Sequence, residues 1–244
     1  GNKLKALQFY KKAYKLEEGR HDIELLLDMA LLYHELEQID LAEEKYREVL
    51  KIDDKEERAY YGLGTLYDED GFFEEAKEYY KKAIKLNKNY DKAYFFLANI
   101  YDEEGEKEKA IELYKKVLEI NPKDLWANAN IACIMEEVGR LKEAEKYNNS
   151  ALDIEPNQFR ILFNMGVVQK GLGNNEKAKE LIDEIRNNLD NGNVTSEMLF
   201  EEATSKAKKY QEEYNSFVTI MDNKEELEGN SILRGIPYAL KDNI

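Results

Sequence analysis

An all-α stack of two-helix repeats is the fold that this sequence predicts, and three observations carry the prediction. Ala42, Ala76, Ala110, Ala144 and Ala178 recur at a step of 34 residues without an insertion, the spacing of a helix-turn-helix unit. Gly71, Gly105, Gly139 and Gly173 keep the same step and fall where one helix must stop and the next begin. The composition agrees: 36% of residues are charged, Glu, Lys, Leu, Ala and Tyr abound, only three prolines occur, and alternating β-branched runs are almost absent.

Taken from the start, Gly1, Ala6, Tyr10, Ala13 and Leu16 match the loop and second helix of a unit whose first helix is missing, so residues 1–22 read as a half repeat. Five whole units follow, over 23–56, 57–90, 91–124, 125–158 and 159–192. In each first helix a large residue precedes a small one: Met29-Ala30, Leu63-Gly64, Leu97-Ala98, Ile131-Ala132 and Met165-Gly166. The small member lets two helices approach, and the large one fills the space between neighbouring units. Tyr33, Tyr67 and Tyr101 lie on the same helix face, and Pro122 and Pro156 end second helices. No unit can bury its apolar face alone. The pattern weakens late in the chain, where Asn148 replaces the aromatic of Tyr46, Tyr80 and Tyr114 and Gln169 replaces the earlier tyrosine, which predicts looser packing there. Beyond Asn193 the register is lost. Thr195-Ser196-Glu197 can cap a new helix whose Met198, Leu199, Ala203 and Ala207 would close the end of the stack, within a segment spanning 193–244.

These spacings resemble the tetratricopeptide repeat over residues 1–192. The resemblance implies a right-handed superhelical α-solenoid whose first helices line a concave trough, a surface that takes an extended peptide or a helix. Carried onto this chain, the inward positions are Leu27 and Leu31, Tyr61 and Thr65, Phe95 and Asn99, Ala129 and Cys133, then Phe163 and Val167. Asn99, Asn130 and Asn164 could grip a peptide main chain, since an amide both donates and accepts, and Arg160 could add a cation. Repeats of this family that bind acidic chaperone tails pair two asparagines with lysines. Phe95 and Asn164 occupy places where basic residues are expected, which argues against that ligand. The pairs His34-Glu35, Asp68-Glu69, Asp102-Glu103 and Glu136-Glu137 form a rim at the repeat spacing. Two readings stand for it: a line of carboxylates that favours a basic ligand, or solvated helix ends in an acidic protein. Acids at helix C-termini oppose the helix dipole, at about 0.3 to 1 kcal/mol each, which favours the first.

The function expected is therefore a protein-interaction scaffold whose ligand is a basic or apolar protein segment. A net charge of −15 disfavours nucleic acid and anionic lipid surfaces, no long apolar run marks a membrane span, and the lone Cys133 suits a reducing cytoplasm. No cofactor, metal or catalytic set is expected. His21 and His34 lack a partner at zinc-ligand spacing, Cys133 has no base among its sequence neighbours, and Trp126 reads as a packing anchor. The incomplete first unit leaves an apolar face through which copies could self-associate.

The end of the chain carries a second resemblance. Tyr214 to Ile220, followed by Leu233-Arg234-Gly235-Ile236-Pro237-Tyr238-Ala239-Leu240-Lys241-Asp242-Asn243-Ile244, is similar to the N-terminal part of amidase-signature enzymes, nearest to the A subunit of glutamyl-tRNA amidotransferase. In that family the matching lysine, here Lys241, belongs to a Ser-Ser-Lys triad. Both serines are absent from this sequence, and nucleophilic catalysis needs its nucleophile. The alternative reading is thus a non-catalytic fragment of a repeat-amidase fusion.

Overall fold

The computed structural model describes residues 2–190, apart from residue 17. The segment 193–244, with its expected capping helix and amidase-like stretch, lies outside the described residues. Eleven α-helices and no strand occur among the described residues. They are α1 (Asn2–Tyr14), α2 (Ile23–Glu35), α3 (Ile39–Ile52), α4 (Glu57–Glu69), α5 (Phe73–Leu86), α6 (Asp91–Glu103), α7 (Lys107–Ile120), α8 (Leu125–Glu137), α9 (Leu141–Ile154), α10 (Phe159–Gly171) and α11 (Asn175–Asp190). A short 3-10 turn (Glu18–His21) joins α1 to α2. The first helices start at residues 23, 57, 91, 125 and 159, the starts expected from the spacing.

The turns between paired helices follow from backbone sterics. Gly71, Gly105, Gly139 and Gly173 have φ between 75° and 82°, a left-handed conformation that side chains disfavour. In the first unit Glu37 occupies this place at φ 57°, so a non-glycine residue adopts the strained conformation there. Three first helices are capped by an acid: Asp22 accepts from the Leu25 amide at 3.2 Å, Asp124 from the Ala127 amide at 2.8 Å, and Glu56 from the Arg58 amide at 3.3 Å.

The chain divides into two compact units, one ending at Pro122 and the other beginning at Lys123. In the first, α2 to α7 form three antiparallel hairpins, with α1 laid against α2. The recurring alanines sit at the crossings: Ala42, Ala76 and Ala110 are wholly buried. Two glycines of α4 make the crossings tighter still. A Cβ on Gly62 would stand 2.3 Å from the Tyr46 ring of α3, and one on Gly64 would stand 2.7 Å from the Tyr80 ring of α5. Two tyrosine rings thus pack flat against bare backbone, one between hairpins and one within a hairpin. Burial pushes the Tyr46 phenol up to about 12, and it pushes the Tyr80 phenol higher still.

In the second unit α8 to α11 form two hairpins. Ala144 is wholly buried, Ala178 nearly so, and Ala129, Ala151 and Ile161 pack where the helices meet. Asn148 takes the place of the tyrosine, is wholly buried, and neither its amide nitrogen nor its oxygen has a hydrogen-bond partner. An unpaired buried amide destabilises by about 1 to 3 kcal/mol, so the weaker pattern of this repeat has an energetic counterpart. Gly166, the counterpart of Gly64, has nothing within 4 Å of the place a Cβ would take.

That contrast is testable. Gly64→Ala forces a methyl against Tyr80 and should lower stability by about 1 to 3 kcal/mol. Gly166→Ala meets open space inside a helix and should raise it by up to about 1 kcal/mol. Denaturant unfolding followed by circular dichroism reads both, and equal shifts of one sign would refute the packing described.

Candidate functional site

The first helices of the first unit gather an aromatic floor bordered by acids. Tyr61 of α4 is half-buried, with its ring 5.2 Å edge-on from Tyr90 and 6.0 Å from both Tyr80 and Phe96. Thr65, one turn on, donates its hydroxyl to the Tyr61 carbonyl at 3.1 Å. Phe95 of α6 stands edge-on to Tyr114 at 5.5 Å and to Phe96 at 5.7 Å. The Tyr114 hydroxyl donates to Asn99 Oδ1 at 2.5 Å. The carbonyl side of the Asn99 amide is therefore already engaged from within the hairpin. Leu27 is buried in the core of the first hairpin, whereas Leu31 is 51% exposed.

The rim carboxylates have more side-chain partners than the sequence suggests. His34 Nε2 lies 2.6 Å from Glu69 Oε2, Lys107 donates to Asp102 at 2.6 Å, and Lys3 pairs with Glu35 at 2.9 Å. Asp68 accepts from the Tyr80 hydroxyl at 3.1 Å. Its carboxyl is nonetheless raised above the ordinary range, chiefly by burial and then by the charges of Glu103 and Glu69, with the Tyr80 hydrogen bond opposing. Asp68, Glu69 and Glu103 thus remain a repelling group beside the aromatic floor. Burial also raises the Tyr61 phenol, with Asp91, Glu69 and Asp68 adding to it.

In the second unit Asn164 is nearly buried and donates its amide to Cys133 Sγ at 2.9 Å. Phe163 belongs to the core with Phe159, Leu162, Ile182 and Ile185 and is 8% exposed, so it offers little area to a ligand. Asn130 and Cys133 are partly exposed on α8. The Arg160 guanidinium lies 5.8 Å from the ring of Trp126, which is 41% exposed. That ring serves as a cation-binding face as well as packing.

Sequence reasoning missed the side-chain ladder between equivalent positions. Arg58 grips both oxygens of Glu24 at 2.7 and 2.9 Å and also holds Glu56. Glu24 and Arg58 are one repeat apart, as are Trp126 and Arg160, and that shared spacing is the signal that could have found both pairs. The Arg58 and Glu24 side chains are 41% and 71% exposed, so solvent screens the pair and it acts mainly to set orientation. Among the described residues no group of three His, Cys, Asp or Glu side chains is placed to hold a metal, and no helix is long and apolar enough to cross a membrane.

Models of the tetratricopeptide repeat match residues 23–56, 69–129 and 103–157, together just over half of the chain. Among solved structures, MamA is 32% identical, with 63% of this chain and 88% of that chain covered at a TM-score of 0.55. YrrB, a tetratricopeptide repeat protein with an unusual peptide-binding site, is 24% identical, with 72% and 89% covered at a TM-score of 0.60. The C-terminal part of a repeat protein from Cytophaga hutchinsonii is 14% identical, with 88% and 85% covered at 0.67. The last two likenesses are of fold. Separately, 68 residues are 35% identical to the A subunit of glutamyl-tRNA(Gln) amidotransferase from Lactobacillus delbrueckii subsp. bulgaricus, and the chain spans 14% of the length of that relative. The repeat spacing, the buried alanines at the helix crossings and the family matches converge: the chain belongs to the tetratricopeptide repeat family.

Proposed function

We propose that this chain is a non-catalytic, cytoplasmic protein-interaction scaffold whose first-helix surfaces bind a peptide or protein segment. The observation that carries the reading is the half-buried Tyr61 and Phe95 floor beside the Asp68, Glu69 and Glu103 carboxylates. Such a surface offers apolar area and ring faces next to negative charge, which suits a segment with apolar and basic side chains. The peptide-binding site of YrrB supports the class of ligand, since that protein shares the fold. Leu31, Tyr61, Thr65, Phe95 and Asn99 are the proposed contacts in the first unit, and Asn130, Cys133 and Arg160 those in the second. Leu27, Phe163 and Asn164 shape the wall from beneath, being buried.

A second reading rests on the amidotransferase likeness: the chain would be the repeat-bearing part of an enzyme of that class. A third is self-association through α1 and the turn after it, where Leu4, Phe9 and Leu16 are each more than half exposed.

A peptide library separates the first two. The scaffold reading expects saturable binding of basic-apolar peptides and no release of ammonia from glutamine, with Phe95→Ala weakening binding by about tenfold or more. Asn130→Ala tests the amide grip separately, since unchanged affinity would remove that role and leave the surface. Ammonia release, or binding indifferent to both substitutions, would overturn the proposal.

Acidity gives another expectation. Asp68 is raised, so it takes up its proton at a higher pH than an ordinary carboxyl. Affinity for a basic peptide should be fully present at neutral pH and fall on acidification before ordinary carboxylates titrate. Asp68→Asn should flatten that early part of the profile in calorimetric titrations.

A further inference from the structure

The first unit carries, at the two ends of one helix, a projection and a recess of opposite character. At the start of α5, Phe72 is 54% exposed and Phe73 37%, in a turn flanked by Asp68, Glu69, Asp70, Glu74 and Glu75. The ring of Phe72 touches that of Tyr67 edge-on at 6.1 Å, which steadies the turn but leaves more than half of the ring in solvent. Beyond the other end of α5 lies an open recess of about 570 Å³ lined by Lys88, Asn89, Tyr94, Lys116, Glu119 and Ile120. Lys81, Lys82, Lys85 and Lys92 lie nearby in sequence, with Asp91 the one acid between 81 and 92, and Leu86 is 41% exposed. In a chain of net charge −15 this is a local reversal of sign.

We propose that the recess receives residues 68–75 of a second copy of this chain. The Phe72 ring enters against Tyr94 and Ile120, and the flanking carboxylates meet Lys88, while Lys116 keeps its pair with Glu119 at 2.6 Å within the recess. Complementarity of charge, with an exposed ring beside an apolar floor, names this occupant. The recess pairs apolar floor with ammonium groups, and the turn pairs an aromatic ring with carboxylates. At physiological ionic strength charges act over about 8 Å, so this local match decides the contact rather than the net repulsion of two acidic chains. The fourteen residues of α5 span about 21 Å, so one copy cannot fill its own recess with its own turn. Each bound copy then presents a free turn at one end and a free recess at the other. The contact joins a turn of one copy to the recess of the next, so it can lengthen into a row.

The test uses the full chain in sedimentation velocity over a range of concentrations, with circular dichroism to verify folding. Wild type should show a mass that rises with concentration. Phe72→Ser removes the projection and Lys88→Glu spoils the recess, and each alone should weaken association by about tenfold or more. Mixing the two variants regenerates one intact contact, so a complex of two chains should form and grow no further. A monomeric wild type overturns the proposal, as does association that survives both substitutions, which would assign it to another face such as α1. Mixed variants that stay apart overturn it as well.

Discussion

The close approach of the paired helices is the constraint on which everything else depends. An alanine at each crossing lets the second helix lie against the first, and only at that separation can tyrosine rings from one helix cover the backbone of the next. The arrangement is strictest in α4, where Gly62 and Gly64 receive rings from both sides. Because the Tyr46 ring is shared between hairpins, burial of one repeat there is completed by the next, and the stability of such a stack is a sum of repeat and interface terms. The site inherits this geometry. Tyr61 and Phe95 are held by rings whose own positions are set at the crossings.

The same packing governs the electrostatics. Phenols reach from the second helices toward polar groups on the first, as in the pairs Tyr80 with Asp68 and Tyr114 with Asn99. Burial raises Tyr80 and Asp68 together, so the acidic rim is not a row of equivalent carboxylates. Asp102 and Glu35 are paired with Lys107 and Lys3, while Asp68, Glu69 and Glu103 keep their mutual repulsion.

Helix starts, the turn glycines and the buried alanines were legible in the sequence because each follows from a fixed chain interval and a local steric demand. Glu37 was not, since its left-handed backbone is imposed by the turn against its own preference. Inward-leaning positions were legible only in part. Leu31 is exposed and Tyr61 half-buried, yet Leu27 and Phe163 sink into the core, because a position on a helix fixes direction but not how deeply the neighbouring helix covers it. Asn99 was read as an amide open to a ligand, and the tyrosine that engages it comes from fifteen residues away, beyond any local pattern. The ladder of Glu24 with Arg58 escaped notice because a spacing says which residues correspond, not that they touch.

The replacement of tyrosine by Asn148 has a consequence for how the two units respond to a ligand. In the third repeat, anything that draws on the Asn99 carbonyl must compete with the Tyr114 hydroxyl, so a peptide bound there as proposed would tug on α7. In the fourth repeat the equivalent side chain is too short to reach across and is bonded to nothing, so α9 has no such tether. A peptide held as proposed would pull on the outer helix through this bond in one wall, and Asn148 supplies no counterpart of it in the other.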